Sequence, residues 1–286
     1  MAVTGPFQQE PRDERMLTPD VAPMDTAKEV RRRLPLWPLM LVLPSALVAL
    51  WYISSSAKTV ISKFIPTPAD LLDTGYDIFT AGYRGSSIFE HTWVSLSHVI
   101  YAFLVISFVG IPIGWLMGRL RVVQFLVDPL VEFLRPLPPL AYMSLLIIWF
   151  GIGTTTQVAL LIASGFAVIV TAARAASAGV SEEKIKTARA FGADHLQIFW
   201  HVILPSTLPD LITGSRVLAG MLFSTIIAAE MIAARSGLGW MIMDASQFLR
   251  SDVIFVGIFI LAILGFAIDR SFRLLERVLV PWRGKE

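Results

Sequence analysis

Side chains that usually carry out chemistry are scarce in this chain of 286 residues, and none of them forms a catalytic pattern. The chain has no cysteine, which excludes disulfides, thiolate metal sites and cysteine nucleophiles. Its four histidines form no H-E-x-x-H or similar metal pattern. The Gly-x-x-x-x-Gly-Lys-Ser/Thr loop that binds ATP phosphates is also missing from the sequence. We therefore expect no enzyme active site, no metal and no ATPase site in this chain.

The strongest functional pattern lies in residues 181–205, a polar stretch between two apolar runs. Ser181 can cap a first helix, and Asp194 can cap a second one after an interruption at Gly192. Apolar side chains recur at helical spacing in both halves, at Ile185, Ala188, Phe191, Leu196 and Phe199. Because they cannot all face water without cost, we expect some to pack on a soluble partner. Packing back on the protein's own helices is the alternative for the last two residues.

Two charged residues in apolar surroundings are candidates for a solute pathway. Arg135 precedes three prolines within residues 136–139, which cannot continue one regular helix. Backbone freed at such a break often lines a polar pathway, where an anion would need a positive partner. The alternative is an ion pair with Asp128 or Glu132. Glu230 lies near the end of an apolar run, where it either belongs to an outer gate or braces neighbouring helices.

The composition places these residues in a membrane protein. Hydrophobic residues make up 55% of the chain and charged residues only 16%, against about a quarter in soluble domains. Six apolar runs approach or exceed the length that a spanning helix needs, and the third is broken by the prolines. We predict an all-α membrane protein with six transmembrane helices, at residues 36–56, 93–118, 122–150, 157–176, 212–233 and 253–268.

The distribution of basic residues predicts the orientation. Six spans put both termini on one side, and that side would carry 17 of the 24 lysines and arginines, against 5 on the other. Since cytoplasmic loops carry the excess of Lys and Arg, we expect cytoplasmic termini and a cytoplasmic 181–205 segment. The basic residues are spread along one membrane face and not gathered in a groove, so we expect no nucleic acid partner.

The remaining segments follow from these spans. Thr67 can cap a short amphipathic helix outside the membrane, and a polar loop is expected at residues 234–252. The predicted organisation is a disordered cytoplasmic tail, a first transmembrane helix, a periplasmic segment, a five-helix core that includes 181–205, and a basic cytoplasmic tail, at residues 1–33, 34–56, 57–88, 89–272 and 273–286.

A stripe of small residues on the second span predicts close helix packing. Gly110, Gly114 and Gly118 are four residues apart, so they line one face and let another helix backbone approach. Such a face suits either a homodimer contact or a packing seam inside one chain, and the sequence leaves both open.

Residues 181–205 resemble the cytoplasmic motif of the inner membrane permeases of bacterial ABC importers. That motif reads Glu-Ala-Ala, three residues, Gly, nine residues, then Ile-x-Leu-Pro. Here the second alanine is Ala188, the glycine is Gly192 and the closing pair is Leu204-Pro205, at matching spacing. The leading Glu-Ala is replaced by Lys-Thr at 186–187, and the isoleucine by Val202.

The resemblance covers about residues 60 to 284 and extends to one branch of the family. The stretches 135–141, 148–153 and 229–239 look like permeases that import taurine, alkanesulfonates, nitrate or bicarbonate, and the sequence is most similar to the taurine permeases. Within this branch, nitrate, bicarbonate or a vitamin precursor is the alternative cargo. An ion-coupled carrier would more usually place carboxylates or histidines midway through its spans, and nothing here resembles a channel filter ring or a clustered membrane enzyme site.

The resemblance implies a type I ABC importer permease fold in the bacterial inner membrane. It implies a homodimer of this chain, two ATPase subunits that bind ATP and Mg themselves, a periplasmic binding protein, and no cofactor on this chain. It also assigns coupling to the ATPase to one set of residues, namely Glu183, Ala188, Gly192, Ala193, Leu196, Phe199, Leu204 and Pro205. The candidate pathway or gate residues are Arg135, Pro138, Pro139, Tyr142 and Glu230.

Overall fold

The computed structural model describes residues 39–56 and 64–282, and the predicted tail at 1–33 lies outside them. The chain divides into two compact units, residues 1–48 and 49–286. Regular structure in the described residues is helical, apart from one isolated bridge between Tyr83 and Ser86. The predicted all-α class is therefore confirmed.

Four helices of the described residues are long and apolar enough to cross a bilayer. They are α3 (Ile88–Arg119), α6 (Thr154–Ala178), a continuous helix His195–Ala233 and α11 (Ser251–Leu279). A fifth span is formed by α4 (Arg121–Leu134) and the Pro139–Phe150 segment if the two are taken together as one broken span. The angle between them is 88°. That segment consists of a 3-10 turn and α5 (Met143–Phe150). The break predicted at the three prolines is thus present.

The first predicted span corresponds to α1 (Leu39–Ser56), which is a shorter apolar helix with Pro44 inside it. Six spans and cytoplasmic termini stay predictions, since four or five spans are evident in the described part of the chain.

The helix that contains the fifth predicted span begins well before residue 212. The short helix α8 (His195–Ile198) continues through a π-helical turn (Phe199–Ile203) into α9 (Leu204–Ala233). The helix therefore runs on through Leu204-Pro205, the pair at which the sequence places the end of the cytoplasmic unit, and that end stays a prediction. The Leu204 N–H bonds to the Phe199 carbonyl five residues back, and this wider turn accommodates Pro205, which has no N–H to donate.

Residues 234–252 are not the polar loop that was predicted. They contain α10 (Leu238–Gln247), in which Leu238, Met241 and Ala245 are fully buried. These three residues fall at i, i+3 and i+7, one face of a helix, so the apolar run after Gly237 buries its side chains. The helix α11 also continues to Leu279, into the predicted basic tail.

The core of the second unit is formed where α3, α6 and α9 pack together. The glycine stripe of α3 faces α6: a Cβ at Gly114 would lie 2.5 Å from the Val170 carbonyl oxygen, and one at Gly118 would lie 2.6 Å from the Ser177 Cβ. A Cβ at Gly110 would collide with Ile169. The stripe is thus a packing seam inside the chain, the second of the two roles that the sequence left open.

The helix predicted outside the membrane is α2 (Pro68–Ala81), and its start is capped as predicted. The Thr67 hydroxyl accepts a hydrogen bond from the Asp70 N–H at 3.2 Å, while Asp70 accepts one from the Thr67 N–H at 3.0 Å. Ile78 packs in a cluster with residues of α10 and α11, whereas Leu72 is 75% exposed. Through this cluster α2 is held to the end of the bundle at which α10 lies.

Candidate functional site

The predicted coupling segment begins with a capped helix, α7 (Glu182–Ala190). The Ser181 hydroxyl accepts a hydrogen bond from the Glu183 N–H at 3.2 Å, as its position before the helix predicts. Gly192 ends this helix with a φ of +84°, in the left-handed region that favours glycine. The N–H groups after the helix bond back to its last turn, from Gly192 to Arg189 at 2.9 Å and from Ala193 to Ala188 at 3.1 Å.

Beyond this glycine the chain enters one long helix. Asp194 caps α8 by accepting a hydrogen bond from the Gln197 N–H at 2.7 Å, and the Gln197 side chain accepts one from the Asp194 N–H at 3.0 Å. Since α8 and α9 are continuous, a force on α8 acts directly on a membrane-spanning helix. The Gly192 turn is the only break between α7 and that helix in the described segment 182–233.

The predicted partner contacts have different surroundings. Leu196 is 69% exposed and Phe191 is 88% exposed. Phe199 is half-buried, and its ring packs edge-on against Trp115 of α3 at 5.3 Å, which was the alternative that the sequence left open. Trp200, one helical turn after Leu196, is 56% exposed and was missed by the sequence reasoning. The large apolar side chains exposed in this segment are thus Phe191, Leu196 and Trp200.

The other predicted coupling residues differ in how far they are buried. Glu183 is exposed in the first turn of α7, and Ala188 and Ala193 are half-buried on either side of the glycine turn. Leu204 and Pro205 are half-buried at the start of α9.

A cavity of about 320 Å³ lies at the helix break, between the end of α4, α6 and α9. Arg135, which follows α4, is the only charged side chain among the described residues that line it. The wall includes two hydroxyls, but each donates its proton to its own helix, from Ser164 to the Leu161 carbonyl at 3.0 Å and from Thr171 to the Ala167 carbonyl at 2.7 Å. The cavity therefore presents one positive charge among mostly apolar groups.

Arg135 makes no ion pair with any residue that the structure describes. Asp128, the partner that helical spacing offered, is bonded to Arg174 of α6 and accepts a hydrogen bond from Gln124 at 3.1 Å. Glu132, the other offered partner, is exposed and forms no ion pair with Arg135. The guanidinium of Arg135 is left available to an anion.

Three other predicted pathway residues do not line this cavity. Pro139 and Tyr142 bound the 3-10 turn that follows the break, and Pro138 is exposed just before it. Tyr142 packs against a cluster that contains Met143 and Ala229. All three lie in the bent connection between α4 and α5.

Glu230 lies in a buried polar network at the far end of α9. Its side chain is only 1% exposed, and one carboxylate oxygen accepts hydrogen bonds from the Ser95 hydroxyl at 2.9 Å and the Gly239 N–H at 2.8 Å. The other oxygen has no hydrogen-bond partner among the described residues. Gly237 has a φ of +112°, and a Cβ there would lie 2.5 Å from this carboxylate. These contacts are those of a brace that joins α9 to the start of α10.

Two residues of α3 complete this network and were not identified from the sequence. The Leu238 N–H donates to the Ser95 hydroxyl at 3.0 Å, and the Gly237 N–H donates to His91 Nδ1 at 3.2 Å. The His91 ring stacks on Trp240 at 5.6 Å. His91 and Ser95 are polar residues spaced i, i+4 in an apolar helix, which was the available signal. Three N–H groups at the start of α10 are thus bound by side chains of α3 and α9.

At the more exposed edge of this network, Tyr83 and Arg84 both bind the carboxylate of Asp244. Asp244 accepts hydrogen bonds from the Tyr83 hydroxyl at 2.7 Å and from Arg84 Nε at 3.0 Å. Burial and the bond to Asp244 raise the pKa of Tyr83, and the same carboxylate raises the pKa of Arg84. These contacts tie the loop before α3 to α10. No group of His, Asp or Glu that could hold a metal occurs in the parts of the chain that the structure covers.

Comparison with known proteins identifies relatives along most of the chain. Residues 110–280 match the family described as binding-protein-dependent transport system inner membrane component. The taurine transport system permease protein TauC of Escherichia coli (strain K12) is 36% identical, over 84% of this chain and 88% of that protein. The putative aliphatic sulfonates transport permease protein SsuC of Bacillus subtilis (strain 168) is 31% identical, over 87% and 88%. The nitrate import permease protein NrtB of Synechocystis sp. is 24% identical, over 84% and 88%.

Among solved structures, an inward-facing conformation of the MetNI methionine ABC transporter contains a similar chain. The TM-score is 0.59 at 20% identity, and the match covers 65% of this chain and 93% of that one. At this identity the likeness concerns the fold, and it supports the type I importer permease fold that the sequence predicts.

Proposed function

The chain belongs to the family of binding-protein-dependent transport system inner membrane components, and we propose that it passes taurine or a related small sulfonate across the membrane. The chain is a permease subunit of an ABC importer, as predicted, and its relatives fall in the predicted taurine, sulfonate and nitrate branch. It is a multi-pass protein of the inner membrane. The family implies a separate ATPase and a substrate-binding protein as partners.

The cavity at the helix break carries the proposal for a sulfonate. A sulfonate is a permanent anion at neutral pH, and Arg135 offers the one positive charge in a wall of mostly apolar groups. Its guanidinium is not neutralised by Asp128 or Glu132. Arginine binds oxyanions through several N–H groups at once. The names of the taurine and sulfonate relatives agree with this chemistry.

The proposed transport unit has two copies of this chain, two ATPase subunits that hold ATP and Mg, and a periplasmic binding protein. Six spans with cytoplasmic termini would place residues 181–205 toward the ATPase. There Phe191, Leu196 and Trp200 are exposed apolar side chains that suit a cleft on a soluble subunit. Closure of the ATPase pair would push α8, and the push would pass along the continuous helix into α9.

Uptake by reconstituted vesicles tests the cargo. The complete complex is placed in liposomes with the cognate binding protein outside and ATP inside, and uptake of labelled taurine, another alkanesulfonate, nitrate and bicarbonate is compared. We expect ATP-dependent uptake of taurine or the alkanesulfonate. Transport of nitrate or bicarbonate alone would contradict the sulfonate proposal while leaving the importer assignment intact.

Two arginine variants distinguish the effect of the charge in the cavity from the effect of positive charge on the inner face in general. Arg135→Gln removes the charge in the cavity, whereas Arg121→Gln removes one at the other end of the same helix, outside the cavity. We expect Arg135→Gln to lower the rate of uptake at saturating binding protein by about tenfold or more, since a charge-assisted bond contributes about 1.5–3 kcal/mol. Equal uptake by the two variants would remove the anion contact from the proposal.

A further inference from the structure

A pocket of about 530 Å³ lies near the end of α11, on the side of the chain predicted to be cytoplasmic. Its wall is formed by three arginines, one glutamate and two apolar residues, Arg216, Arg273, Arg277, Glu276, Val280 and Pro281. Arg216 comes from α9, so the pocket joins two helices. The proposed transport mechanism assigns no role to this pocket.

The charges of the pocket are only partly neutralised within the protein. Asp269 accepts bonds from both Arg216, at 2.5 Å, and Arg273, at 2.8 Å, so one carboxylate serves two guanidinium groups. Arg277 is exposed and forms no ion pair with the residues that the structure describes. Arg270 adds a fourth positive charge on the same helix face. Even with the carboxylate of the pocket wall included, positive charge exceeds negative charge here.

The same face of α11 carries an exposed apolar stripe. Phe259, Ile263 and Phe266 are 63%, 55% and 60% exposed. They fall at i, i+4 and i+7, and Arg270 and Arg277 continue the series at i+11 and i+18, so all five lie along one side of the helix.

The length of this face suits one leaflet of a bilayer. Phe259 and Arg270 are eleven residues apart, about 16 Å along a helix, which is close to the half-thickness of about 15 Å for one leaflet. The Arg270 guanidinium lies over the Phe266 ring, 4.9 Å from its centre, where the apolar and basic parts meet.

We propose that this pocket binds the phosphate headgroup of an anionic phospholipid whose acyl chain lies along Phe259, Ile263 and Phe266. A free anion would need the arginines but not the apolar stripe, whereas a neutral lipid would need the stripe but not the arginines. An anionic amphiphile uses both. Arginine is suited to the headgroup because it binds phosphate through two parallel N–H bonds. The lipid would join α9 to α11 next to the Arg216–Asp269 pair.

Native mass spectrometry of the assembled permease–ATPase complex tests this site. Dioleoyl phosphatidylglycerol and dioleoyl phosphatidylcholine, which share the same acyl chains, are titrated into the detergent-purified complex. We expect phosphatidylglycerol to bind more tightly by at least fivefold. A basic residue near a lipid surface contributes a factor of about five in affinity. Arg277→Gln should therefore weaken the binding of phosphatidylglycerol by about that factor. Because Arg277 has no described ion-pair partner, the variant leaves no described carboxylate unpaired.

Further measurements distinguish the proposed lipid from a free anion and from a neutral lipid in the pocket. Arg121→Gln removes one charge from the same predicted membrane face outside the pocket and should leave phosphatidylglycerol affinity unchanged. Phe266→Ala should weaken both lipids, since it shortens the apolar stripe. Equal affinity for the two lipids, an equal loss in Arg121→Gln, or equally tight binding of soluble glycerol 1-phosphate would overturn the proposal. Failure of the complex to bind any phosphatidylglycerol, because a second copy or the ATPase covers this face, would overturn it too. None of these outcomes depends on which solute is transported.

Discussion

Removing the Ser95 hydroxyl should loosen the brace between α3, α9 and α10. This hydroxyl accepts a hydrogen bond from the Leu238 N–H at 3.0 Å and donates one to Glu230 at 2.9 Å, in surroundings with no solvent access. In Ser95→Ala the buried Leu238 N–H loses its acceptor, which costs about 1–3 kcal/mol. Glu230 also loses its bond from the Ser95 hydroxyl and keeps only the bond from the Gly239 N–H. The lost bond adds about 0.5–1.5 kcal/mol to the cost.

The expected loss of about 2–4 kcal/mol in the free energy of unfolding corresponds to a fall in Tm of roughly 5–15 °C for a domain of this size. Thermal unfolding in detergent, followed by tryptophan fluorescence, measures it. Ser97→Ala is the matched control, because the half-buried Ser97 bonds only to the Val94 carbonyl of its own helix, at 2.8 Å. A double variant, Ser95→Ala with Glu230→Ala, should lose less than the sum of the single losses. Equal Tm values for Ser95→Ala and Ser97→Ala would refute the reasoning.

Other variants test the coupling segment and the packing seam. Gly192→Val and Gly85→Val both force a β-branched residue to a φ near +85° with open space around it, so they share the local strain. Only Gly192→Val should lower uptake and substrate-stimulated ATP hydrolysis; equal activity of the two would exclude the coupling role. Gly114→Ala should destabilise the protein by about 1–3 kcal/mol, because the added Cβ would collide with α6. Gly220→Ala has nothing within 4 Å of the added Cβ and should stabilise the protein by up to about 1 kcal/mol. Equal Tm values for the two variants would contradict the packing seam. Leu196→Ala should weaken binding of the ATPase without changing Tm, and unchanged affinity in a pull-down titration would count against the contact.

Local signals in the sequence were enough for the features that depend on neighbouring residues. The caps at Thr67, Ser181 and Asp194 follow from a polar side chain placed before a helix, and all three accept the expected bonds. The break at the three prolines follows from the missing N–H groups. The unit around Gly192 was recognised because its spacing is short and specific.

Features that depend on distant partners were beyond the sequence. The α10 helix was mistaken for a loop because its ten residues are few, and its burial depends on packing against α2, α9 and α11. The pairing of His91, Ser95 and Glu230 spans more than 130 residues of sequence, which no local pattern reports. The continuity of the helix through Pro205 could not be predicted, because the sequence does not reveal the π-helical turn that accommodates this residue.

The side of the membrane on which residues 181–205 lie tests the central claim most directly. The chain has no cysteine, so Phe191→Cys creates a unique thiol at a position that is 88% exposed. A membrane-impermeant maleimide should label this thiol in inside-out vesicles stripped of the ATPase, and the rebound ATPase should protect it. No labelling is expected in right-side-out vesicles. Labelling from the outside, or labelling unaffected by the ATPase, would contradict a coupling role for this segment.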